Sequence, residues 1–226
     1  MEDVCVVVPM HNEAPVIGGV LAGLLRCFPR VVCVDDGSTD ASAAIARSAG
    51  ATVLRHATNL GQGAALQTGI DFALQQPGTE YVVTFDADGQ HDPVDAVRMV
   101  ELARADGVDV VLGSRFLGAA SPVPGLRRVL LRGGVAFTRL TTGLRLTDTH
   151  NGLRVLSRRA AWDLDLRLRG MAHASELLQH VASEGLGYRE VPVSIRYTDY
   201  SRAKGQSSLN ALNIVYDLFV DRLYAS

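Results

Sequence analysis

The chain has 226 residues, of which 47% are hydrophobic and 20% charged, and its formal net charge is −2. This size is sufficient for one well-buried domain, and the near-neutral charge gives no reason to expect nucleic-acid binding. The opening residues do not resemble a signal peptide, because Asp3 stands among them and Pro9 interrupts the first apolar run. No stretch of about 18 uncharged apolar residues occurs, so we expect no membrane span within the chain.

The first half of the chain alternates between apolar strands and amphipathic helices. Strands are predicted over residues 4–8, 31–34, 51–55, 81–85 and 109–112, with helices over 16–27, 41–49, 63–74 and 93–105. Ser38 or Thr39 is expected to cap the second helix. This alternation is typical of an α/β fold with a mostly parallel sheet covered by helices on both faces.

The second half of the chain is less regular and begins with a basic stretch. Residues 110–147 contain no acidic residue, and residues 126–140 mix arginines with apolar side chains. That pattern favours contact with anionic lipid head groups, although a solvated helix with internally paired charges is the alternative. A polar loop at 148–154, a helix over 174–184, a strand over 188–195 and an amphipathic helix over 207–223 follow. Without any linker or repeat, we expect one domain over residues 1–226.

The three cysteines, Cys5, Cys27 and Cys33, lie in apolar contexts and lack metal-ligand spacing. An odd number of cysteines without such spacing favours reduced core residues in a cytosolic protein.

Three polar segments follow predicted strands, at residues 9–13, 35–40 and 86–92. The carboxyl ends of parallel strands meet at one edge of a sheet, and ligands of open α/β sheets bind there. We therefore expect the three segments to converge on one binding site.

The acidic segment at 86–92 carries the strongest chemical signal. Asp86 and Asp88 follow a buried strand, and Gln90 adds an amide oxygen. Mg²⁺ and Mn²⁺ take such oxygen ligands and share the rest of their coordination shell with substrate phosphates. His91 either joins this shell, lies at the surface, or supports the metal ligands from behind. The pattern predicts a nucleotide-diphosphate site.

Two other turns have both a binding and a structural interpretation. Asp35 and Asp36 stand where a base or ribose could be hydrogen-bonded, while one residue of the 38–40 group caps the following helix. The glycine-bearing turn at 59–65 either offers a helix N-terminus to phosphate or only allows close helix packing.

Five segments occur in the order found in a known enzyme family. They are VPMHNE at 8–13, VDDGSTD at 34–40, NLG at 59–61, DADGQH at 86–91 and GSR at 113–115. This set resembles the family 2 glycosyltransferases of the GT-A fold, in particular the dolichyl- and polyprenyl-phosphate mannosyl- and glucosyltransferases. The resemblance covers residues 4–116 and, less closely, 148–208. It implies a nucleotide-sugar-binding half at 1–116 and an acceptor-binding half at 117–226.

On the donor side, the resemblance implies a role for each matching residue. The nucleotide pocket would be lined by Pro9, His11 and Glu13, and either Asp35 or Asp36 would contact the base or ribose. The nucleoside would be bordered by Asp86 and Ala87. The Mg²⁺ or Mn²⁺ ion would be held by Asp88 and Gln90.

On the acceptor side, Arg115 would face the acceptor phosphate or sugar. The 148–154 segment, with Asp148, Asn151 and Arg154, resembles the family's acceptor loop. Residues 202–208 resemble a mobile loop that usually ends in lysine, where this chain has Ser208. The resemblance therefore transfers the diphosphate contact to Arg202, helped by Lys204.

The implied reaction is inverting transfer of a hexose from a GDP-mannose or UDP-glucose type donor to a polyprenyl or dolichyl phosphate. A phosphate monoester, with a second pKa near ~6, is already an anion and needs no general base. A sugar hydroxyl acceptor, the main alternative, would need a base, for which Glu176 is the candidate. Glu176 is otherwise explained as a charge at a helix N-terminus. An inactive nucleotide-sugar-binding subunit is a further alternative.

The lipid acceptor implies a location as well as a chemistry. We expect the chain at the cytoplasmic face of the membrane, through peripheral contact or through a separate membrane-protein partner.

Overall fold

A computed structural model describes residues 1–117, 133, 135, 138–168, 172–196 and 200. Its strands form one seven-stranded sheet in the order β3-β2-β1-β4-β6-β5-β7. The strands are β1 (Val4–Met10), β2 (Arg30–Asp35), β3 (Thr52–Arg55), β4 (Tyr81–Thr84), β5 (Val110–Ser114), β6 (Arg154–Ser157) and β7 (Tyr188–Pro192). The helices are α1 (Ile17–Leu24), α2 (Ser42–Ser48), α3 (Gln62–Gln75), α4 (Pro93–Asp106), α5 (Arg158–Trp162) and α6 (His173–Ser183).

The sheet is mixed, with one antiparallel strand inside it. β1 pairs in parallel with β2 and β4, β2 with β3, and β5 with β7. β6 runs antiparallel between β4 and β5. The predicted mostly parallel sheet is confirmed, but the polar loop was predicted one residue too long, because Arg154 is already the first residue of β6. Neither the four-residue β6 nor the short α5 was predicted.

Apolar side chains cover both faces of the sheet, as the alternation predicted. Along β1, Val4, Val6 and Val8 pack against one core that includes Leu21, while the intervening residues pack against the core on the other face. Period-two alternation in a strand buried on both sides produces this arrangement.

The three cysteines are free. Burial raises the pKa of Cys5 to about 11 and that of Cys33 to about 12. These two thiols therefore behave as core groups, whereas Cys27 is only partly buried.

The predicted capping of α2 by Ser38 or Thr39 is wrong. The Oγ of Ser38 accepts a hydrogen bond from the Asn12 backbone (2.9 Å), and the Thr39 backbone donates to the Asn12 side chain (2.9 Å). Asp40 instead accepts from the first helical amide, that of Ser42 (2.9 Å). Ser38 and Thr39 tie the loops after β1 and β2 together, which removes them from the helix end.

Parts of several predictions lie outside the described residues. These are most of the basic segment at 126–140, the final helix at 207–223 and the loop with Arg202 and Lys204. Within the described ranges, no helix is both long and apolar enough to cross a bilayer.

The close approach of α3 to the sheet depends on Gly69. A Cβ at this position would press on Val7 of β1 and lie 3.2 Å from a methyl carbon of Val34. Gly19, an exposed glycine in α1, has no atom within 4 Å of such a Cβ.

We predict that Gly69→Ala lowers the free energy of unfolding by about 1–3 kcal/mol relative to Gly19→Ala, since both gain helix propensity but only the first overpacks the core. Urea denaturation of the two variants measures the difference. Equal midpoints would contradict the tight packing of α3 on β1.

Candidate functional site

The three polar segments do meet at one edge of the sheet. β2, β1 and β4 are neighbours and parallel, so the residues that follow them emerge side by side. Pro9 lies in the buried end of β1, and Ala87 is buried between the two aspartates that follow β4. The predicted convergence is therefore observed.

The loop after β1 is fixed to the loop after β2 by polar side chains. The Nδ1 of His11 lies 2.9 Å from the carbonyl oxygen of Asp36, and its Nε2 lies 3.1 Å from the Asn12 amide nitrogen. A carbonyl can only accept, so Nδ1 is the donor and Nε2 accepts from Asn12. Asn12 has a positive φ of 54°. Together these contacts hold His11 in one orientation beside the predicted nucleotide pocket.

The paired carboxylates at the end of β2 are both buried and both engaged. Asp36 accepts from His56 Nδ1 (2.7 Å) and from the amides of Leu60 (2.8 Å) and Gly61 (2.8 Å). Those two amides thus bind protein, which favours the structural interpretation of the turn over phosphate binding. Asp35 accepts from the Ser38 amide (3.0 Å) and forms an ion pair with the exposed Arg55 (3.1 Å). The base or ribose contact stays a prediction.

Asp86 is held by one donor on each carboxylate oxygen. Gln62 Nε2 donates to Oδ1 (3.1 Å) and His91 Nε2 to Oδ2 (3.0 Å). Burial raises the pKa of Asp86, but the His91 hydrogen bond and the charges of His91, Arg154 and His173 outweigh it, so the pKa lies below its usual value. His91 is itself 7% exposed; the surface position considered for it is wrong.

Asp88 has a different environment, two residues further along. Its one hydrogen bond within the described structure comes from the Gln90 backbone (3.0 Å). Burial, with the negative charges of Asp86 and Glu13, raises the pKa of Asp88 to about 6. A carboxylate surrounded by like charge is stabilised by a cation.

The donor set at Asp88 fits Mg²⁺ or Mn²⁺. The Asp88 carboxylate and the Gln90 amide supply hard oxygens, and such ions need only one or two protein ligands when phosphates complete the shell. Across the described ranges no cluster of three or more His, Cys, Asp or Glu side chains is arranged around a common point. An all-protein metal cage is thus not formed there.

Glu13 is buried beside this loop and contacts a residue that the sequence did not single out. Its backbone amide donates to Ser42 Oγ (2.7 Å), and its Oε2 accepts from the Tyr200 hydroxyl (2.8 Å). Tyr200 also donates to the Asn12 carbonyl (3.2 Å). Burial and the contact with Glu13 raise the pKa of Tyr200. The one available signal was its position two residues before Arg202.

The chain beyond β7 is attached to the acidic loop. The Arg196 amide donates to the Gln90 carbonyl (2.9 Å), and its guanidinium pairs with Asp92 (2.5 Å). Asp92 also caps α4 by accepting from Val94 (3.0 Å). These contacts place Arg196 beside the acidic loop that follows β4.

On the predicted acceptor side, Arg115 and Asp148 form a largely buried ion pair (2.6 Å). Asp148 also accepts from the Arg115 amide (3.1 Å). Its own amide donates to Glu190 of β7 (2.8 Å), which also accepts from the Thr147 amide. Glu190 was not predicted, because its partners lie more than 40 positions away in the chain.

Arg154 lies inside the protein, 3% exposed. Its Nε donates to the Asn151 carbonyl (3.0 Å). Burial lowers the pKa of Arg154 to about 10, although the charges of Asp86 and Asp148 oppose the shift. The side chain of Asn151 accepts from the Leu153 amide (2.9 Å), while its buried nitrogen has no partner within the described structure. These contacts explain the loop's shape; direct acceptor contact stays a prediction.

Glu176 lies in the first turn of α6 and supports the preceding loop. One carboxylate oxygen accepts from the Arg167 amide (3.1 Å) and the other from the Leu168 amide (2.9 Å). This arrangement supports the structural explanation for Glu176 and gives no support to its role as a base.

His150 provides a pH-dependent test of the acceptor loop. Burial lowers the pKa of His150 to about 4; Asp148 opposes the shift, and Arg154 and Arg115 add to it. Its Nε2 is buried and unpaired within the described ranges. An unfolded histidine titrates near ~6.5, so as pH falls through the window from 6.5 to 4 the unfolded state takes up a proton first and stability is lost.

We predict that between pH ~7.5 and ~5 the wild type loses up to about 2 kcal/mol more stability than His150→Gln. Urea unfolding at the two pH values measures this. Equal losses would show that His150 is not buried in its uncharged form.

The sequence of the chain is similar to those of known proteins. The model of glycosyl transferase family 2 matches residues 5–165. The chain is 30% identical over 236 residues to the UDP-N-acetylglucosamine–dolichyl-phosphate N-acetylglucosaminyltransferase of Methanococcus voltae, covering 95% of this chain and 94% of that protein. It is 28% identical over 227 residues to the polyprenol monophosphomannose synthase of Mycolicibacterium smegmatis, covering 95% of this chain and 83% of that protein.

Solved structures share the fold at lower identity. Glucosyl-3-phosphoglycerate synthase from Mycobacterium tuberculosis superposes with a TM-score of 0.74 at 20% identity, over 97% of this chain and 80% of that chain. A complex of the same enzyme with Mn²⁺, UDP and glucosyl-3-phosphoglycerate gives a TM-score of 0.71 at 20% identity, over 97% and 79%. The fold is GT-A, and the chain belongs to glycosyl transferase family 2.

Proposed function

We propose that this glycosyltransferase moves a hexose, with inversion, from a nucleotide-diphosphate sugar to a polyprenyl or dolichyl phosphate. The observation that carries the donor half is Asp88, a carboxylate with raised pKa and a single hydrogen bond within the described structure. It lies at the sheet edge where α/β folds bind ligands.

The donor would lie across the ends of β1, β2 and β4. His11 is held in place to line the pocket, and Asp86 is held ionised to border the nucleoside. Mg²⁺ or Mn²⁺ would bind Asp88 and Gln90 and would neutralise the charge that grows on the leaving diphosphate. Glucosyl-3-phosphoglycerate synthase, which shares the fold, forms a complex with Mn²⁺ and UDP, and this supports a divalent metal and a nucleotide-diphosphate donor for the chain. Arg202 and Lys204 are proposed to contact the same diphosphate.

The acceptor half of the proposal is supported by the relatives and by chemistry. The chain covers 94% of the Methanococcus voltae relative, whose name specifies dolichyl phosphate. It covers 83% of the Mycolicibacterium smegmatis relative, whose name specifies polyprenol. A lipid phosphate is already an anion near neutral pH, with a second pKa near ~6, so no base is required. In agreement, both carboxylate oxygens of Glu176 accept backbone hydrogen bonds.

Arg115 is proposed to face the acceptor phosphate while Asp148 orients its guanidinium. A pair in which each charge already has a partner costs less to bury than a lone arginine. The ion pair fixes the orientation of the Arg115 guanidinium through its Nε.

A lipid acceptor places the reaction at a membrane surface. We propose peripheral contact through the arginine-rich stretch at 110–147, or attachment to a separate membrane protein, at the cytoplasmic face. Each basic residue near an anionic surface contributes about 1 kcal/mol of binding.

The experiment that tests the proposal has two stages. UDP-, GDP- and TDP-sugars are first screened for binding with and without Mn²⁺. Donors that bind are then offered with polyprenyl phosphate, with a sugar hydroxyl acceptor as the comparison. Metal-dependent binding followed by transfer to the lipid supports the proposal, and transfer to the hydroxyl acceptor alone would contradict it.

We predict that Asp88→Ala reduces transfer by at least about 100-fold, because stabilisation of the leaving group is lost, and that it weakens metal-dependent donor binding. Asp88 is repelled by Asp86 and Glu13, so the substitution should not lower the melting temperature. Asp71→Ala, which removes an exposed carboxylate on α3, is the control. Turnover of Asp88→Ala equal to that of the control would exclude the assignment.

A further inference from the structure

Each carboxylate oxygen of Asp86 accepts one hydrogen bond from the protein. Gln62, the first residue of α3, donates to one oxygen and His91 to the other. Behind them lies Gly152, where an added Cβ would collide with both carboxylate oxygens. Three separate chain segments therefore fix the rotamer of one side chain.

His91 is placed for this single contact. Its ring packs edge-on against Phe85, with centroids 5.5 Å apart, and its Nδ1 is buried without a hydrogen-bond partner within the described ranges. A carboxylate oxygen accepts hydrogen bonds, so Nε2 of His91 is the donor to Asp86. An unpaired buried nitrogen lowers the stability of the folded state. A phenylalanine at this position would pack without leaving a buried nitrogen unpaired. His91 has this unpaired nitrogen but gains the hydrogen bond to Asp86.

The backbone of His91 is fixed as well. It forms a β-bridge with Ile195, next to the hydrogen bond from the Arg196 amide to the Gln90 carbonyl. The ring therefore enters the site from a rigid position.

The fixed orientation of Asp86 matters because Asp86 lies close to Asp88, the proposed metal ligand. Asp86 lies two residues before Asp88, close enough for its charge to raise the pKa of Asp88. A carboxylate free to rotate at this position would compete for the same cation. The hydrogen bonds from Gln62 and His91 hold the Asp86 carboxylate in one orientation, and rotating it away from that orientation would break them.

We propose that His91 and Gln62 are positioning residues that hold the Asp86 carboxylate in the orientation in which it borders the nucleoside. The proposal rests on the proposed function for its donor. It assigns to His91 a role through Asp86, without contact to substrate or metal.

The test compares three variants by donor KM at saturating Mn²⁺ and by melting temperature. His91→Phe keeps the ring beside Phe85 but removes both nitrogens. His91→Gln places an amide donor near the position of Nε2. Gln62→Leu removes the donor to the other oxygen.

We expect His91→Phe to raise the donor KM by about ten-fold, the effect of one hydrogen bond to a charged group, with a melting temperature equal to or above the wild type. His91→Gln should restore KM to near the wild-type value even if its melting temperature falls. If His91 had only a structural role, the variant with the lower melting temperature would also have the higher donor KM. His91→Gln would then be more impaired than His91→Phe.

The inference is overturned if His91→Phe retains the wild-type KM, or if His91→Gln is as impaired as His91→Phe. Should His91→Phe not fold, Gln62→Leu carries the test, and an unchanged KM there overturns the inference. If the wild type transfers to no acceptor, the proposed function fails. The Kd values of UDP and GDP with Mn²⁺, measured for the same variants, then decide the inference alone.

Discussion

Buried carboxylates at the carboxyl edge of the sheet determine how the surrounding loops fold. A charge removed from water needs hydrogen-bond donors, and at this edge the donors come from distant parts of the chain. Buried Asp36 accepts hydrogen bonds from the turn before α3, and buried Asp148 pairs with Arg115. The half-buried Glu190 holds the start of the 148–154 loop. Each acidic side chain thus connects elements that the sheet alone would leave unconnected.

Asp88 is the exception, and the proposed chemistry depends on that difference. Asp86 has donors on both oxygens and a lowered pKa, whereas Asp88 has one hydrogen bond in the described structure, two negative neighbours and a raised pKa. The same loop therefore carries a carboxylate with a lowered pKa beside one with a raised pKa. In the proposed function, a cation shared with the donor diphosphate would stabilise the ionised form of the second carboxylate.

The sequence predicted the sheet edge well, because β-branched runs and period-two burial are local signals. Capping by Ser38 or Thr39 failed since both residues bond to Asn12 instead. β6 was missed because it is four residues long and runs against its neighbours. The partners of Asp86, the support from Glu190 and the contact between Tyr200 and Glu13 join residues far apart in the chain. These contacts form only once the chain has folded, and no short sequence pattern indicates them.

The central claim is that the two aspartates of one loop have separate tasks. A crystal structure with Mn²⁺ and a bound nucleoside diphosphate, with the ion located by its anomalous scattering, tests this most directly. The account predicts the ion on Asp88 and Gln90, with Asp86 still bonded to Gln62 and His91. An ion coordinated by Asp86, or bound away from Asp88, would contradict it.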